Sequence, residues 1–176
     1  GPRALSDTLA ASVTITEQND PPAGSDGTVT TDEDTTYTFS EADFGYSQPG
    51  GETDAMDGVR IDTLPTRGTL ELSGASVSDD DVITQAELTG GDLTYTPPAD
   101  QNGAGFTNLT FSVRDDRGAF DTAPNNLTID VDPVNDAPSA SPGPDFTVNE
   151  DDGAQTATNF MDSLDPGGGS DESSQT

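Results

Sequence analysis

The sequence predicts an all-β sandwich of about seven strands. Hydrophobic residues recur with a period of two in short runs, as they do in strands that bury one face. Turn-forming Gly, Pro, Asp and Asn separate the runs at the spacing that a two-sheet domain needs. Seven runs fall within about 115 residues, which fits an immunoglobulin-like Greek-key sandwich.

The elements follow in order along the chain. Thr28–Thr31 and Thr35–Ser40 are rich in Thr, whose branched side chain suits a pleated surface. Ser40 opens a helical turn, because Asp43 stands three residues later as a capping box requires. Glu41–Asp57 is then a long loop rich in Gly and acid, the kind of segment on which binding residues tend to sit. Val59–Leu64 and Thr69–Ser73 flank the turn Pro65-Thr66-Arg67-Gly68, with Leu70 and Leu72 facing inward. Thr84 and Glu87 cap a second one-turn helix, and Leu93–Thr96 follows Gly90-Gly91-Asp92. The last two strands carry Leu109, Phe111 and Val113, then Leu127, Ile129 and Val131, with Asp116-Arg117-Gly118 between them.

Composition narrows the function. Five arginines, no lysine and 34 acids give a net charge of −29. Repulsion on that scale excludes nucleic acid and anionic membrane as partners. No apolar run approaches the roughly 20 residues that span a bilayer, and Gly1-Pro2-Arg3 is not a signal peptide; Gly1-Pro2 fits a cloning remnant. Without Cys there is neither a disulfide nor a thiolate metal site, and without His or Lys the usual general bases are missing. Hydrophobic residues make up only 29% of the chain, so folding requires that something neutralise the acid.

The chain also repeats itself. Asn19-Asp20-Pro21-Pro22 returns 116 residues later as Asn135-Asp136-Ala137-Pro138, and each copy follows an alternating strand, Val13–Thr16 or Leu127–Val131. An acidic knot follows each copy, Asp32-Glu33-Asp34 and then Glu150-Asp151-Asp152. Residues 20–136 are therefore expected to form one complete repeat. Residues 1–19 would hold the last strand of a preceding repeat, and 137–176 the opening strands of a following one, with Phe146 and Val148 in the first and Phe160 in the second. Two strands cannot bury a core alone. One arrangement that would complete them is the strand at Leu9–Thr16 of a neighbouring molecule.

These motifs, together with Leu64-Pro65-Thr66-Arg67-Gly68-Thr69-Leu70, Tyr95-Thr96-Pro97 and Asn102-Gly103, resemble the cadherin-like tandem repeats of very large bacterial surface adhesins. The resemblance covers nearly the whole chain. It implies an extracellular, calcium-stiffened sandwich in a cell-surface stalk, exported as type I-secreted RTX adhesins are, with adjacent repeats of the same polypeptide as partners. It also implies an Asp before Pro in the second loop, as in Asp165-Pro166, where this repeat has Gln48-Pro49.

Clustered Asp, Glu and Asn select calcium, which takes about 6–8 oxygen ligands at about 2.3–2.6 Å. A seven-strand topology sorts the acids to two ends. At the outgoing end lie Glu33, Asp100, Asn102, Asp132, Asn135 and Asp136, to which a following repeat would add Asp162 and Asp165. At the incoming end lie Glu52, Asp54 and Asp57, then Asp115, Asp116 and Asp121, then Glu17, Asn19 and Asp20. Glu150 stands where Glu33 does, one repeat on. Asp79-Asp80-Asp81 has no linker beside it and reads as a solvated loop.

Two other functions compete. A glycan- or protein-binding module would use Phe44, Tyr46 and Phe120 as an aromatic platform. An enzyme with paired carboxylates needs apolar surface to raise a carboxyl pKa, and this chain has little to spare.

Overall fold

The structure is a computed structural model that describes residues 18–145, 147–151, 153–154, 156, 161–165 and 167–168. The inward members of each alternating run meet in one core. Along β3 (Met56–Thr63) these include Met56, Val59 and Ile61; along β8 (Gly103–Asp115) Leu109, Phe111 and Val113; along β9 (Asn125–Asp132) Leu127, Ile129 and Val131. With β1 (Gly27–Asp32) and β6 (Val82–Thr84) these form a five-stranded sheet in the order β1-β9-β8-β3-β6. The facing sheet is β2-β7-β4-β5, from β2 (Tyr37–Thr38), β4 (Thr69–Leu72), β5 (Ala75–Ser76) and β7 (Leu93–Thr96). It contributes Leu70, Leu93 and Tyr95. The architecture is an all-β immunoglobulin-like sandwich, with β1 parallel to β9 and the other pairs within the two sheets antiparallel.

Several elements depart from expectation. β2 keeps only two ladder residues of the expected Thr35–Ser40, although the Phe39 amide still donates to the Leu93 carbonyl beside it. β5 and β6 were not expected, being two and three residues long. Asp79–Asp81 joins them and is tied to β3, since Asp80 N donates to Ile61 O at 2.8 Å and Ile61 N to Asp81 O at 2.9 Å. The expected long loop is partly ordered into a 3-10 turn at Glu41–Phe44, and β3 begins at Met56, one residue before the loop was expected to end. The helix α1, Gln85–Gly90, has the Thr84–Glu87 capping box that its sequence predicts.

Beyond the sandwich, β10 (Ser139–Pro142) pairs with β11 (Met161–Asp165). Val148 lies outside any strand, so the first tail strand sits earlier than expected; Phe146, Phe160 and the strand at Leu9–Thr16 lie outside the described residues. Among the described residues no helix is long and apolar enough to cross a membrane.

One glycine is dictated by packing. Tyr95 is fully buried and donates its hydroxyl to the Arg67 carbonyl at 3.0 Å; burial pushes its pKa up to about 12, against the opposing Arg67 charge. The ring closes over Gly68, at φ +75°, where a Cβ would fall 2.6 Å from both the Tyr95 ring and the Thr96 carbonyl. Gly68→Ala is therefore expected to lower stability by about 1–3 kcal/mol. A urea midpoint equal to that of the wild type would show that Tyr95 does not close this turn.

β8 positions the functional residues. Its thirteen residues, rising about 3.3 Å each, run the length of the sandwich. Asn102 is left at one end and Asp115 at the other, roughly 40 Å away by strand rise.

Candidate metal centres at the two ends of the sandwich

At the outgoing end the parallel β1–β9 pair draws the first turn against the linker. Asp32 lies opposite Asp132, and the Glu33 amide donates to the Asp132 carbonyl at 2.8 Å. Val29, Thr31 and Glu33 share the inward face, so Glu33 is carried inside and is 2% exposed. Its carboxylate accepts from Val134 N at 2.7 Å and from Asn102 Nδ2 at 3.1 Å. Asp34 and Asp100, both with left-handed φ near +55°, face each other, and Asp100 N donates to Asp34 Oδ1 at 3.3 Å. One oxygen from each of Asp34, Asp100 and Asp136 lies within 4.8 Å of the other two. Burial, then the charges of Asp34, Asp136 and Glu33, push the Asp100 carboxyl above its ordinary range.

The following segment packs on this group. A Cβ at Gly168 would meet an Asp100 oxygen at 2.0 Å and an Asp136 oxygen at 2.6 Å, so this glycine lies directly against the two carboxylates. Asp165 Oδ1 accepts the Gly167 amide at 3.2 Å. Asp132 is exposed, and Asn135 Nδ2 donates to the Asp136 carbonyl at 3.1 Å.

At the incoming end Asp115 closes β8 with no exposed surface. Its Oδ1 accepts from Arg117 N at 3.0 Å and Ala119 N at 2.8 Å, and its Oδ2 accepts from Asn19 Nδ2 at 3.0 Å. Asp20 N donates to Glu52 Oε2 at 3.0 Å, and Gln48 Nε2 donates to the same oxygen at 2.9 Å. Gln48 thus stands in the second loop as a donor to an acid. The Asp54 side chain is only 10% exposed, and its Oδ1 meets Arg117 Nε at 3.1 Å. Asp54 Oδ2 and Asn19 Oδ1 are buried with no donor among the described residues. Burial pushes the Asp54 carboxyl upward; Arg117 opposes this, and Glu52, Asp116 and Asp115 reinforce it. Tyr46 donates to the Asp54 carbonyl at 2.8 Å; burial, then Asp115, Asp116 and Asp54, push its pKa up to about 12.

Sequence reasoning named Asn19, Asp20, Asp54 and Asp115 here, and the fold brings them together with Glu52. It does not bring Asp57 and Asp121 into the same hydrogen-bonded set. Asp57 is ion-paired with Arg114 across β3 and β8. Asp121 accepts from Gly24 N at 2.7 Å, Asn125 Nδ2 at 2.8 Å and Ala123 N at 3.1 Å. Burial alone would raise its pKa, but these donors and the Thr122 amide lower it. Glu150 is exposed in a turn, and Glu17 lies outside the described residues. At the outgoing end Asp34, which sequence reasoning did not name as a candidate, stands with Asp100 and Asp136.

The aromatic platform does not form. Phe44 has no exposed surface and packs its ring edge-on to Phe111 at 4.9 Å. Tyr46 is half-buried against the core with its hydroxyl bonded, and Phe120 lies beneath Arg60 and Arg114, with their guanidinium carbons 4.9 and 5.6 Å from its centroid.

Residues 19–128 match the bacterial Ig domain family, more than half of the sequence. The chain belongs to that family. No curated protein matches it. A bacterial Ig domain is a non-enzymatic fold, and such domains often serve as structural or extender modules of surface proteins. The match to this bacterial Ig domain begins at Asn19, the residue whose side chain reaches Asp115.

Proposed function

We propose that this bacterial Ig domain is a calcium-binding extender repeat of a cell-surface adhesin, stiffened by calcium at its junctions with adjacent repeats. The observation that carries this reading is the pair of buried oxygens, Asp54 Oδ2 and Asn19 Oδ1, that lack a donor among the described residues and lie amid Glu52, Asp115 and Asp116. A buried polar atom without a partner is costly. An oxygen-seeking cation would supply the partner each atom lacks and offset the repulsion around Asp54. Asn19, Asp54 and Asp115 would hold it at the incoming end, and Asp34, Asp100 and Asp136 at the outgoing end. When bound, calcium supplies positive charge and coordination and no reaction.

The chain's own residues do the mechanical work. Asn19 and Asp20 lie in the linker, while Glu52, Asp54 and Asp115 belong to the sandwich. Fixing one set to the other removes the freedom of a hinge. A repeat so fixed at both ends, about 40 Å apart by strand rise, is a rod segment. Export and adhesion follow from the resemblance to type I-secreted RTX adhesins and are part of the same proposal.

Terbium tests the incoming site, because Tyr46 lies beside Asp54 and can sensitise its emission. Tyrosine-excited terbium emission should appear on titration and be competed away by calcium. Tyr46→Phe should lose most of that emission while keeping calcium binding, and Asp54→Asn should weaken binding at this site at least tenfold. Emission unchanged in Asp54→Asn would remove the site from the proposal.

A further inference from the structure

The sequence holds only five arginines against 34 acids, and one of them lies inside Asp115-Asp116-Arg117-Gly118 at the incoming group. Its backbone is pinned there, since Arg117 N donates to Asp115 Oδ1 at 3.0 Å. The side chain is 44% exposed and lies across Asp54, which is 10% exposed, with Nε 3.1 Å from Oδ1. The arginine thus stands on the solvent side of a largely covered acid, whose buried Oδ2 has no donor among the described residues.

We propose that Arg117 is a resident counter-cation that a divalent metal displaces from Asp54, and that it thereby sets how weakly the incoming site binds calcium. This rests on reading that site as a calcium site.

The physical case is one of competition. Arg117 brings a single positive charge to a carboxylate that Glu52, Asp116 and Asp115 also repel. The contact is one Nε interaction, not the two-pronged fork that makes arginine–carboxylate pairs strong. A divalent ion carries twice the charge and can engage several oxygens at once, so it can replace the arginine, but at a cost equal to what the arginine contributed. In metal-free protein Arg117 is the only ion-pair partner of Asp54 among the described residues. A partly exposed arginine can swing into solvent without disturbing β8, because its backbone is held separately through Asp115.

A closed cycle follows. If Arg117 contributes nothing once metal is bound, its removal destabilises the metal-free form by the amount that tightens binding. Calcium chloride titrated calorimetrically into wild type, Arg117→Gln, Arg117→Lys and Asp54→Asn reads the affinities, and thermal melts in chelator and in saturating calcium read the stabilities. Arg117→Gln should bind calcium about 3–10-fold more tightly at this site, melt lower in chelator, and melt with wild type in calcium. Arg117→Lys, which keeps the charge, should stay within about twofold of wild type and keeps the test available if Arg117→Gln is poorly folded without metal. Equal or weaker binding by Arg117→Gln, with binding lost in Asp54→Asn, would overturn the displacement and leave the calcium site standing. Identical titrations for wild type and Asp54→Asn would remove the site itself, and the role of Arg117 with it.

Discussion

Phe44→Ala is expected to lower the unfolding free energy by about 3–5 kcal/mol. Phe44 has no exposed surface, and its ring lies edge-on to Phe111 at 4.9 Å and 6.0 Å from Phe39. Aromatic residues are only 6% of the chain, so few other side chains can close over the gap. Domains of ordinary stability hold about 5–15 kcal/mol in reserve, and this one carries −29 charges that work against compaction. The same residue ends the 3-10 turn Glu41–Phe44, after which the chain runs through Tyr46 to Asp54. A cavity there loosens the anchor of the incoming site as well as the core. Phe120→Ala is the control, because that half-buried ring lies under two arginines and its loss should cost about 1 kcal/mol or less. Denaturant unfolding of the two variants decides the matter: if Phe44→Ala costs no more than Phe120→Ala, Phe44 is not a core residue.

That contrast shows what a period of two can and cannot reveal. The alternation at Val59 and Ile61, at Leu109, Phe111 and Val113, and at Leu127, Ile129 and Val131 read directly as core-facing strands, because each side chain's direction follows from its place in the run. Phe44 stands outside any run. It looked like a loop aromatic until the capped 3-10 turn folded it back over Phe111. β5 and β6 were illegible for a related reason: two or three residues are too few to show a period, and β6 is fixed by its register on β3. Acids are harder still, since a sequence shows the carboxylate and not its donors. Asp57 and Asp121 look as much like ligands as Asp54 does. Their partners, Arg114, 57 residues from Asp57, and the Gly24 amide, 97 residues from Asp121, are visible only in the fold. Asp34 was legible in principle, because inward Val29, Thr31 and Glu33 imply that the next residue turns away.

Removal of calcium is expected to lower the melting temperature by about 10–20 °C relative to saturating calcium. Extracellular calcium modules bind with dissociation constants of about 10⁻⁴–10⁻³ M. At about 10 mM calcium each site then adds about 1.4–2.7 kcal/mol, and two sites about 3–5 kcal/mol. A domain of this size shifts by about 3–5 °C per kcal/mol. Plain screening gives a smaller effect at matched ionic strength, so the comparison belongs against sodium chloride, with Asp54→Asn and Asp136→Ala each losing part of the calcium response. Acidity supplies an independent check with a fixed sign. In the metal-free fold the Asp54 and Asp100 carboxyls are raised, so the folded form takes up protons at these two sites before the unfolded chain does. Acidification from neutrality toward the ordinary carboxylate range therefore stabilises the metal-free fold at these groups, whose cost is present above their folded pKa. Calcium needs the same oxygens deprotonated, so its contribution falls over the same window. The gap between calcium and chelator melts should narrow as pH drops. A gap that is absent at neutral pH, or that stays constant down to about pH 4, would mean that these carboxylates are not what the metal holds.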